Sequence, residues 1–580
     1  MTDYRSEYDR WLENTAEDAE LHEELMSMAD DPKRMEDSFY TELAFGTAGL
    51  RGVIGAGTNR MNRFVVRRAS AGLAKYLLMY KSSQEHGVAI AYDSRHFSRE
   101  FAFETAATIA GFGIKCYLYS TLHSVPQLSF AVRELNCIAG VVITASHNPP
   151  EYNGYKVYWS YGGQAGPRQA DAILESIRKI DYFSVKPMDF DTAVAKGLIV
   201  MIGSELDEVY YKKTMSLIIR PDFVREHGGE LSIVYTPLHG SGLVPVTEVL
   251  RRMGITNCHV VPEQEQPDGS FPTVKAPNPE DANAFTLAME LADRVDANLL
   301  LATDPDSDRL GVAIRTDDGR FRVLTGNQIA CILLRYILSA RQQNGTLPDN
   351  GLVVKSIVST SLADAVCRRY GVELRNVLTG FRFIGELIDR AQASGDNEFL
   401  FGFEESYGFL AGSFVRDKDA VCASMLAAEA AVYYNAAEGK TLYDVLQDIY
   451  AEYGFYVERT KSYTLKGKEG MELIAGAISS LRINPPCEFG GESVLCFEDY
   501  ESGVRNDRTT GESTELELPK SNLLRFILPD DAWIVVRPSG TEPKLKLYIG
   551  AKAGSADEAE ARLERLLNAA DSIVSSYLKR

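Results

Sequence analysis

An α/β fold is predicted, with three related α/β domains built on mixed sheets and a C-terminal α+β domain, arranged around a central crevice. Three observations predict it. A chain of 580 residues is too long for one hydrophobic core and divides into about four domains. The order strand, polar loop, helix, glycine, strand recurs three times, which is the βαβ unit and implies parallel pairing. Beyond residue 455 the pattern gives way to strand runs flanked by helices, the texture of an α+β domain.

Taken in order, residues 4–36 place Tyr4, Tyr8, Trp11, Leu12, Leu21, Leu25 and Met26 at near-helical spacing, a helical layer. The loop Phe45 to Gly52 comes next, with three glycines around Arg51. Glycine allows close backbone approach there, and the guanidinium is suited to clamp a phosphate. The first βαβ unit runs from Val88–Asp93 through a helix at Arg99–Ala110 to Gly113–Leu118. The second joins Ile233–Thr236 to His259–Val261 through a helix ending at Arg252, and the third joins Leu352–Val354 to Gly371–Leu374 through a helix over Leu362–Arg369. The domains are expected at 1–205, 206–325, 326–455 and 456–580. In the last, strands are expected at Tyr456–Leu465, Ser493–Phe497, Leu523–Leu528, Trp533–Arg537 and Leu545–Gly550, with helices at 468–481 and 556–578.

The composition is that of an ordinary globular protein, 45% hydrophobic and 24% charged. A formal net charge of -20 argues against nucleic acid or an anionic membrane as partner. Phosphorylated ligands would therefore need local cationic pockets. The eight cysteines lie far apart without a Cys-x-x-Cys pair, so they read as small core residues in a reducing compartment. The acidic segment Met1 to Glu24 lacks a hydrophobic signal core, and no run reaches the length of a membrane span. A cytoplasmic protein is expected.

Four strand-end loops carry chemistry. Val141-Val142-Ile143-Thr144 stops at Ala145-Ser146-His147-Asn148-Pro149-Pro150, with Asn153-Gly154-Tyr155-Lys156 just beyond. Such a loop faces the crevice where α/β domains bind ligands, and its prolines stiffen it. It is no nucleophile elbow, because Gly-x-Ser-x-Gly is absent. In an extended segment neighbours face opposite ways, so His147 is expected to point away from Ser146. A second strand, Ala297–Thr303, ends at Asp304-Pro305-Asp306-Ser307-Asp308-Arg309. Carboxylates at alternate positions of an extended segment converge, and three anions so close imply a hard divalent cation, with Mg²⁺ the best fit. An EF-hand is excluded, since the sixth position is Arg309 and the twelfth Arg315. A strand leading into Asp-x-Asp also suits an aspartyl-phosphate phosphatase using Asp304 or Asp306 as nucleophile. A third loop, Leu400-Phe401-Gly402-Phe403-Glu404-Glu405-Ser406-Tyr407-Gly408, offers carboxylates and a hydroxyl for sugar hydroxyls. The fourth, Arg537-Pro538-Ser539-Gly540-Thr541-Glu542-Pro543-Lys544-Leu545-Lys546, is the required cationic pocket, with arginine, hydroxyl and backbone N–H donors for phosphate.

Thr-Ala-Ser-His-Asn-Pro with Asn-Gly-Tyr-Lys after it resembles the phosphoserine loop of the α-D-phosphohexomutases, the phosphoglucomutase and phosphomannomutase superfamily. The other loops come in that family's order. The resemblance implies that Ser146 is carried as phosphoserine and that Mg²⁺ is held by Asp304, Asp306, Asp308 and a phosphate oxygen on Ser146. It implies that Arg309 and Arg51 reach phosphate, that Glu404 and Ser406 bind the sugar, and that Thr379, Gly380 and Arg382 select its orientation. Many relatives have lysine at the position of Arg382. Arg537, Ser539, Gly540, Thr541 and Lys546 would hold the phosphate not being transferred, and Lys156 and His147 are the candidate bases. The implied reaction interconverts α-D-glucose 1-phosphate and D-glucose 6-phosphate through glucose 1,6-bisphosphate. The length and the Gly-Thr-Ala-Gly-Leu-Arg-Gly loop resemble the phosphoglucomutase-2 and phosphopentomutase branch, which keeps ribose, deoxyribose and mannose phosphates as alternatives. Small sugar phosphates are the expected partners, for a monomer or small homo-oligomer.

Overall fold

Ala139–Ile143 presents five consecutive small or branched apolar residues, and all five are buried, as in a strand covered on both faces. In the computed structural model, which describes residues 4–16, 18–46, 49–81, 83–465, 467–539 and 543–578, this strand lies inside a six-stranded sheet. The strands are β1 (Leu50–Val53), β2 (Val88–Tyr92), β3 (Cys116–Tyr119), β4 (Ala139–Ile143), β5 (Tyr152–Trp159) and β6 (Ile199–Ile202). Their order is β1-β5-β4-β2-β3-β6. β2 pairs in parallel with β3 and β4, whereas β5 runs antiparallel to β4 with Val142 opposite Lys156. The sheet is therefore mixed. Lys156 sits inside a strand beside β4, not on the loop beyond Ser146.

A second sheet contains β7 (Ile233–Thr236), β8 (Cys258–Val260), β9 (Leu299–Thr303), β10 (Leu310–Arg315) and β11 (Phe321–Val323), in the order β11-β10-β9-β7-β8. β7 is parallel to β8 and β9, and β10 folds back antiparallel to β9. That turn carries the aspartates. Three helices, Tyr4–Asn14, Ala19–Met28 and Pro32–Phe39, form the N-terminal layer. Asp18 and Asp31 cap the second and third by accepting the N–H of Leu21 and Arg34, and Pro32 opens the third, where its missing N–H costs nothing. Trp11 is fully buried and meets Phe39, Phe64, Tyr182 and Phe183 edge-on, with centroids 5.3–5.8 Å apart. Aromatic edges of this kind fasten the layer to the first sheet's helices.

Both sheets belong to one compact unit, Met1–Gly326 with Ile384–Gly402 and Ser406–Thr441. The other unit is Asn327–Phe383, Phe403–Glu405 and Leu442–Arg580. After the helix Gly326–Gln343 it carries the third βαβ unit, β12 (Gly351–Ser356) and β13 (Glu373–Val377), paired in parallel. Their helix, Leu362–Tyr370, stops at Gly371, whose φ of 69° is the left-handed C-cap that glycine adopts without strain. β14 (Glu398–Glu404) leads into the sugar-loop sequence, and β15 (Gly408–Leu410) comes after it.

The C-terminal sheet has seven strands. They are β16 (Phe455–Thr464), then, after the small hairpin β17 (Glu488–Phe489) and β18 (Glu492–Ser493), β19 (Cys496–Asp499), β20 (Val504–Asp507), β21 (Ser513–Glu515), β22 (Leu524–Ile527), β23 (Trp533–Pro538) and β24 (Lys544–Ala553). The order is β16-β24-β23-β22-β19-β20-β21. Helices Gly467–Ile483 and Ala556–Leu578 supply Ile478, Leu563 and Leu566 to a core with Phe526, Ile534 and Leu547. The other predicted strands and both helices of this region are present, but the strand expected at Ser493–Phe497 is broken at Val494-Leu495, its ends falling in the hairpin strand β18 and the sheet strand β19. β20 and β21 are not among the predicted strands, because the edge strand Ser513–Glu515 is wholly exposed and carries no apolar alternation. Among the described residues no helix is long and apolar enough to cross a membrane, and six of the eight cysteines are buried, all eight unpaired.

Candidate functional site

β4 delivers Thr144 and Ser146 at its carboxyl end. The Thr144 hydroxyl accepts the N–H of Ser146 at 2.8 Å and donates to Asp306 Oδ2 at 3.1 Å. Ser146 has φ 53°, a left-handed conformation that costs a serine free energy and persists only where its surroundings impose it. Its Oγ, in a residue 3% exposed, donates to Asp304 Oδ2 at 2.7 Å and lies 3.2 Å from His147 Nδ1. This corrects the expectation that His147 faces away. Alternation holds for extended backbone, and at Ser146 the backbone is not extended.

The aspartates also converge for a different reason from the one expected. The segment after β9 is a tight turn, closed by Ser307 N–H to Asp304 O at 2.9 Å with Ser307 at φ 53°. Asp304 Oδ1 accepts the N–H groups of Asp308 and Arg309 at 3.1 and 3.0 Å. Each of Asp304, Asp306 and Asp308 is buried, and one oxygen from each lies within 4.8 Å of the others. Burial, with Asp306 and Asp308 alongside, raises the Asp304 carboxyl well above its ordinary range. Burial and Asp306 do the same, less strongly, to Asp308. Burial opposes ionisation of Asp306 too, yet the Lys156 ammonium holds its pKa below the ordinary carboxylate value. Asp306 Oδ1 and Asp308 Oδ1 are buried acceptors with no hydrogen-bond partner among the described residues. An oxygen-only donor set with unused buried acceptors fits a hard divalent cation.

Cations surround this cluster. Lys156 Nζ is 2.8 Å from Asp306 Oδ2, and Lys418 Nζ is 3.0 Å from Asp308 Oδ2 and 2.9 Å from Asp417 Oδ1. Asp417 is itself held by Tyr158 Oη at 2.7 Å and Gln164 Nε2 at 3.0 Å. Arg309 binds Glu280 at 2.6 Å and approaches Asp308 at 3.8 Å, while Arg51 donates to Asn148 Oδ1 at 3.0 Å. Burial, then Arg309 and Arg51, drives the His147 pKa well below the ordinary 6.5, so the imidazole is neutral. Of the sequence candidates, Ser146, His147, Lys156, Asp304, Asp306, Asp308 and Arg309 thus meet in one buried cluster, with Arg51 beside the serine loop.

The sugar and phosphate candidates fall mainly in the second unit. Glu404 Oε1 accepts the N–H of Gly380 at 2.6 Å, and Gly380 has φ 123°, open in practice only to glycine. The buried Thr379 Oγ1 has no hydrogen-bond partner among the described residues. Arg382 lies over the Phe383 ring at 4.6 Å. Arg537 on β23 sits opposite Lys546 on β24, and Ser539 N–H donates to Lys544 O at 2.7 Å. Ser406 belongs to the first unit, and Gly540 and Thr541 lie outside the described residues. Sequence reasoning misses Thr144 and Tyr158, whose roles depend on partners far along the chain. It also misses Arg95, a fully buried arginine whose only sequence signal is its place two residues after the strand-end Asp93.

A buried hydroxyl hydrogen-bonded to Asp304, one of three clustered carboxylates, and ringed by lysine and arginine is an arrangement suited to phosphoryl transfer, where positioned charge does most of the work. Family models agree. Those described as phosphoglucomutase/phosphomannomutase, alpha/beta/alpha domains I, II and III, match residues 42–183, 208–319 and 325–453, and that of the C-terminal domain matches 507–569. The chain belongs to the phosphoglucomutase/phosphomannomutase family and is an isomerase-class phosphotransferase. It is 38% identical over 560 residues to the phosphoglucomutase of Staphylococcus saprophyticus, covering 96% of this chain and 98% of that one. The Staphylococcus epidermidis phosphoglucomutase is 38% identical, over 89% of this chain and 92% of its own. Among solved structures, the open form of pp63/parafusin from Paramecium superposes with a TM-score of 0.66 at 17% identity, over 93% of this chain and 97% of that one. A phosphoglucomutase/phosphomannomutase family protein from Burkholderia thailandensis gives 0.63 at 18% identity, over 90% and 96%. At these identities the structures share the fold.

Proposed function

We propose that the chain interconverts α-D-glucose 1-phosphate and D-glucose 6-phosphate, with Ser146 as the phosphoryl carrier and glucose 1,6-bisphosphate as the intermediate. The observation that carries this reading is Ser146 Oγ lying 2.7 Å from Asp304 inside the carboxylate cluster. Asp304, Asp306, Asp308 and an oxygen on phosphorylated Ser146 would hold Mg²⁺, which when bound neutralises charge on the phosphoryl oxygens. Lys156 and Arg309 stabilise the remaining negative charge as it spreads over the group in transit. The free sugar hydroxyl attacks phosphorus and the bond to Oγ breaks. His147, neutral and 3.2 Å from Oγ, takes the hydroxyl proton and hands it to Oγ. The bisphosphate reverses, and its other phosphoryl group returns to the serine.

Glu404, Thr379, Gly380, Arg382 and Ser406 would contact sugar hydroxyls, and Arg537, Ser539, Gly540, Thr541 and Lys546 the phosphate not being transferred. Small sugar phosphates are then the partners, which suits local cationic loops on a chain of net charge -20, and the unpaired cysteines suit a cytoplasmic location. A coupled assay for glucose 6-phosphate tests the activity, with ribose 1-phosphate as competitor, and intact-mass measurement tests the carrier. An active preparation that never carries a phosphoryl group on Ser146 refutes the proposal.

A further inference from the structure

The side chain of Arg95 is completely buried, yet its guanidinium touches no carboxylate of the metal loop. It is turned to backbone. Nη1 donates to Pro149 O at 2.9 Å and Tyr152 O at 3.1 Å, and Nη2 donates to the carbonyls of Ser146 and Asn148. Four carbonyls spanning residues 146–152 therefore converge on one planar fork, including that of the serine itself.

The fork is fixed from behind. Asp93 Oδ2 lies 3.4 Å from Nε, and the Phe271 ring lies 4.9 Å from the guanidinium carbon. Asp93 Oδ1 accepts both Arg95 N–H and Ser98 Oγ, at 3.0 and 2.7 Å. Asn153, one residue past the loop, donates to His96 O at 2.9 Å and Ser98 Oγ at 3.0 Å. A Cβ on Gly269 would lie 2.4 Å from His96 N, so the segment after Asp93 is also packed tightly from outside. Burying a charge in so dry a place is costly, and the arrangement persists because Asp93 pairs it and the loop carbonyls satisfy its Nη donors.

We propose that Arg95 is a positioning residue for phosphoryl transfer: it pins the left-handed Ser146 turn so that Oγ stays on the carboxylate cluster. It touches neither Oγ nor any group that a sugar would contact. Its effect passes through the Ser146 backbone, whose φ of 53° relaxes toward the ordinary regions once the carbonyls are released. Lysine cannot replace it, because one ammonium has three donors diverging from a single atom and cannot span four oxygens.

The inference rests on the mutase reading, and Arg95→Lys in the full-length chain tests it. A displacement of Oγ by about 1 Å should lower kcat by about 100-fold, with KM for glucose 1-phosphate held within roughly threefold because the sugar contacts are intact. Phosphorylation of Ser146 by glucose 1,6-bisphosphate, monitored by intact mass, should slow in step with kcat. If Arg95→Lys fails to fold, Phe271→Leu decides: it removes the ring beneath the guanidinium and no hydrogen bond, and should give a smaller loss confined to kcat. A folded Arg95→Lys protein with parental kcat, a loss lying wholly in KM, or a Phe271→Leu protein with parental kcat overturns the assignment. An unmodified chain that fails to convert glucose 1-phosphate sinks the mutase reading itself. An active parent beside an unaffected Arg95→Lys variant sinks only this inference.

Discussion

Replacing Lys156 by methionine keeps most of the side chain's volume and removes one charge. The ammonium sits 2.8 Å from Asp306 Oδ2, with both side chains buried. Deleting one member of a buried pair strands the other, at a typical cost of about 3–5 kcal/mol. Thr144 still donates to Asp306 and Lys418 still neutralises Asp308, so the lower end, about 3 kcal/mol, is expected in chelator. Saturating Mg²⁺ should restore most of that stability, because the cation takes over neutralisation of Asp306. It should not restore turnover, because the ammonium is also proposed to stabilise the phosphoryl group in flight, a role worth about 10²–10³-fold in kcat. Denaturant unfolding with and without Mg²⁺, beside the coupled glucose 6-phosphate assay, separates the two effects. Parental stability in chelator, or parental kcat regained with Mg²⁺, would refute the electrostatic account of the site.

Ser146→Ala should abolish mutase turnover and the phosphorylated species in the mass spectrum. Phosphate release that survives this change but not Asp306→Asn would point to an aspartyl-phosphate phosphatase. Arg537→Ala should raise KM for glucose 1-phosphate by roughly 10–100-fold, the value of a charge-assisted hydrogen bond of about 1.5–3 kcal/mol, with a smaller change in kcat. Asp419 is buried, accepts Tyr210 Oη and the Cys422 N–H, and burial pushes its pKa from 3.8 to about 6. A raised folded-state pKa means that its contribution is present below about pH 4 and lost as pH rises through about 6. Asp419→Asn should therefore gain stability relative to the parent over that window, by up to roughly 3 kcal/mol, and hold the gain above it. A stability difference flat in pH between 4 and 7 on denaturant titration would exclude this assignment.

The catalytic vocabulary is legible in the sequence because it is local. A run such as Val141–Ile143 needs only its neighbours to be read as a buried strand, and the residues next along the chain must sit at that strand's end. The three βαβ units and the strands around Trp533 and Leu545 are legible on the same ground. The exposed hairpin strand Ser513–Glu515 is not, since an edge strand facing water leaves no apolar alternation. His147 and the aspartate turn show a subtler limit. Both inferences assume extended backbone, and the structure places left-handed residues at Ser146 and Ser307.

By itself the sequence determined which groups are available: a strand-end serine, three clustered carboxylates, and cationic loops in a family's order. Tertiary structure alone decided which of them meet. Ser146 and Asp304 are 158 residues apart, and Lys156 and Asp306 are 150 apart, separations at which no local propensity sets a distance. Contacts of that range arise when sheets and helices pack, so the 2.7 Å between Oγ and a carboxylate is a property of the packed core. The grip of Arg95 on four carbonyls has the same origin. No pattern of neighbours announces an arginine whose partners are backbone oxygens more than fifty residues away.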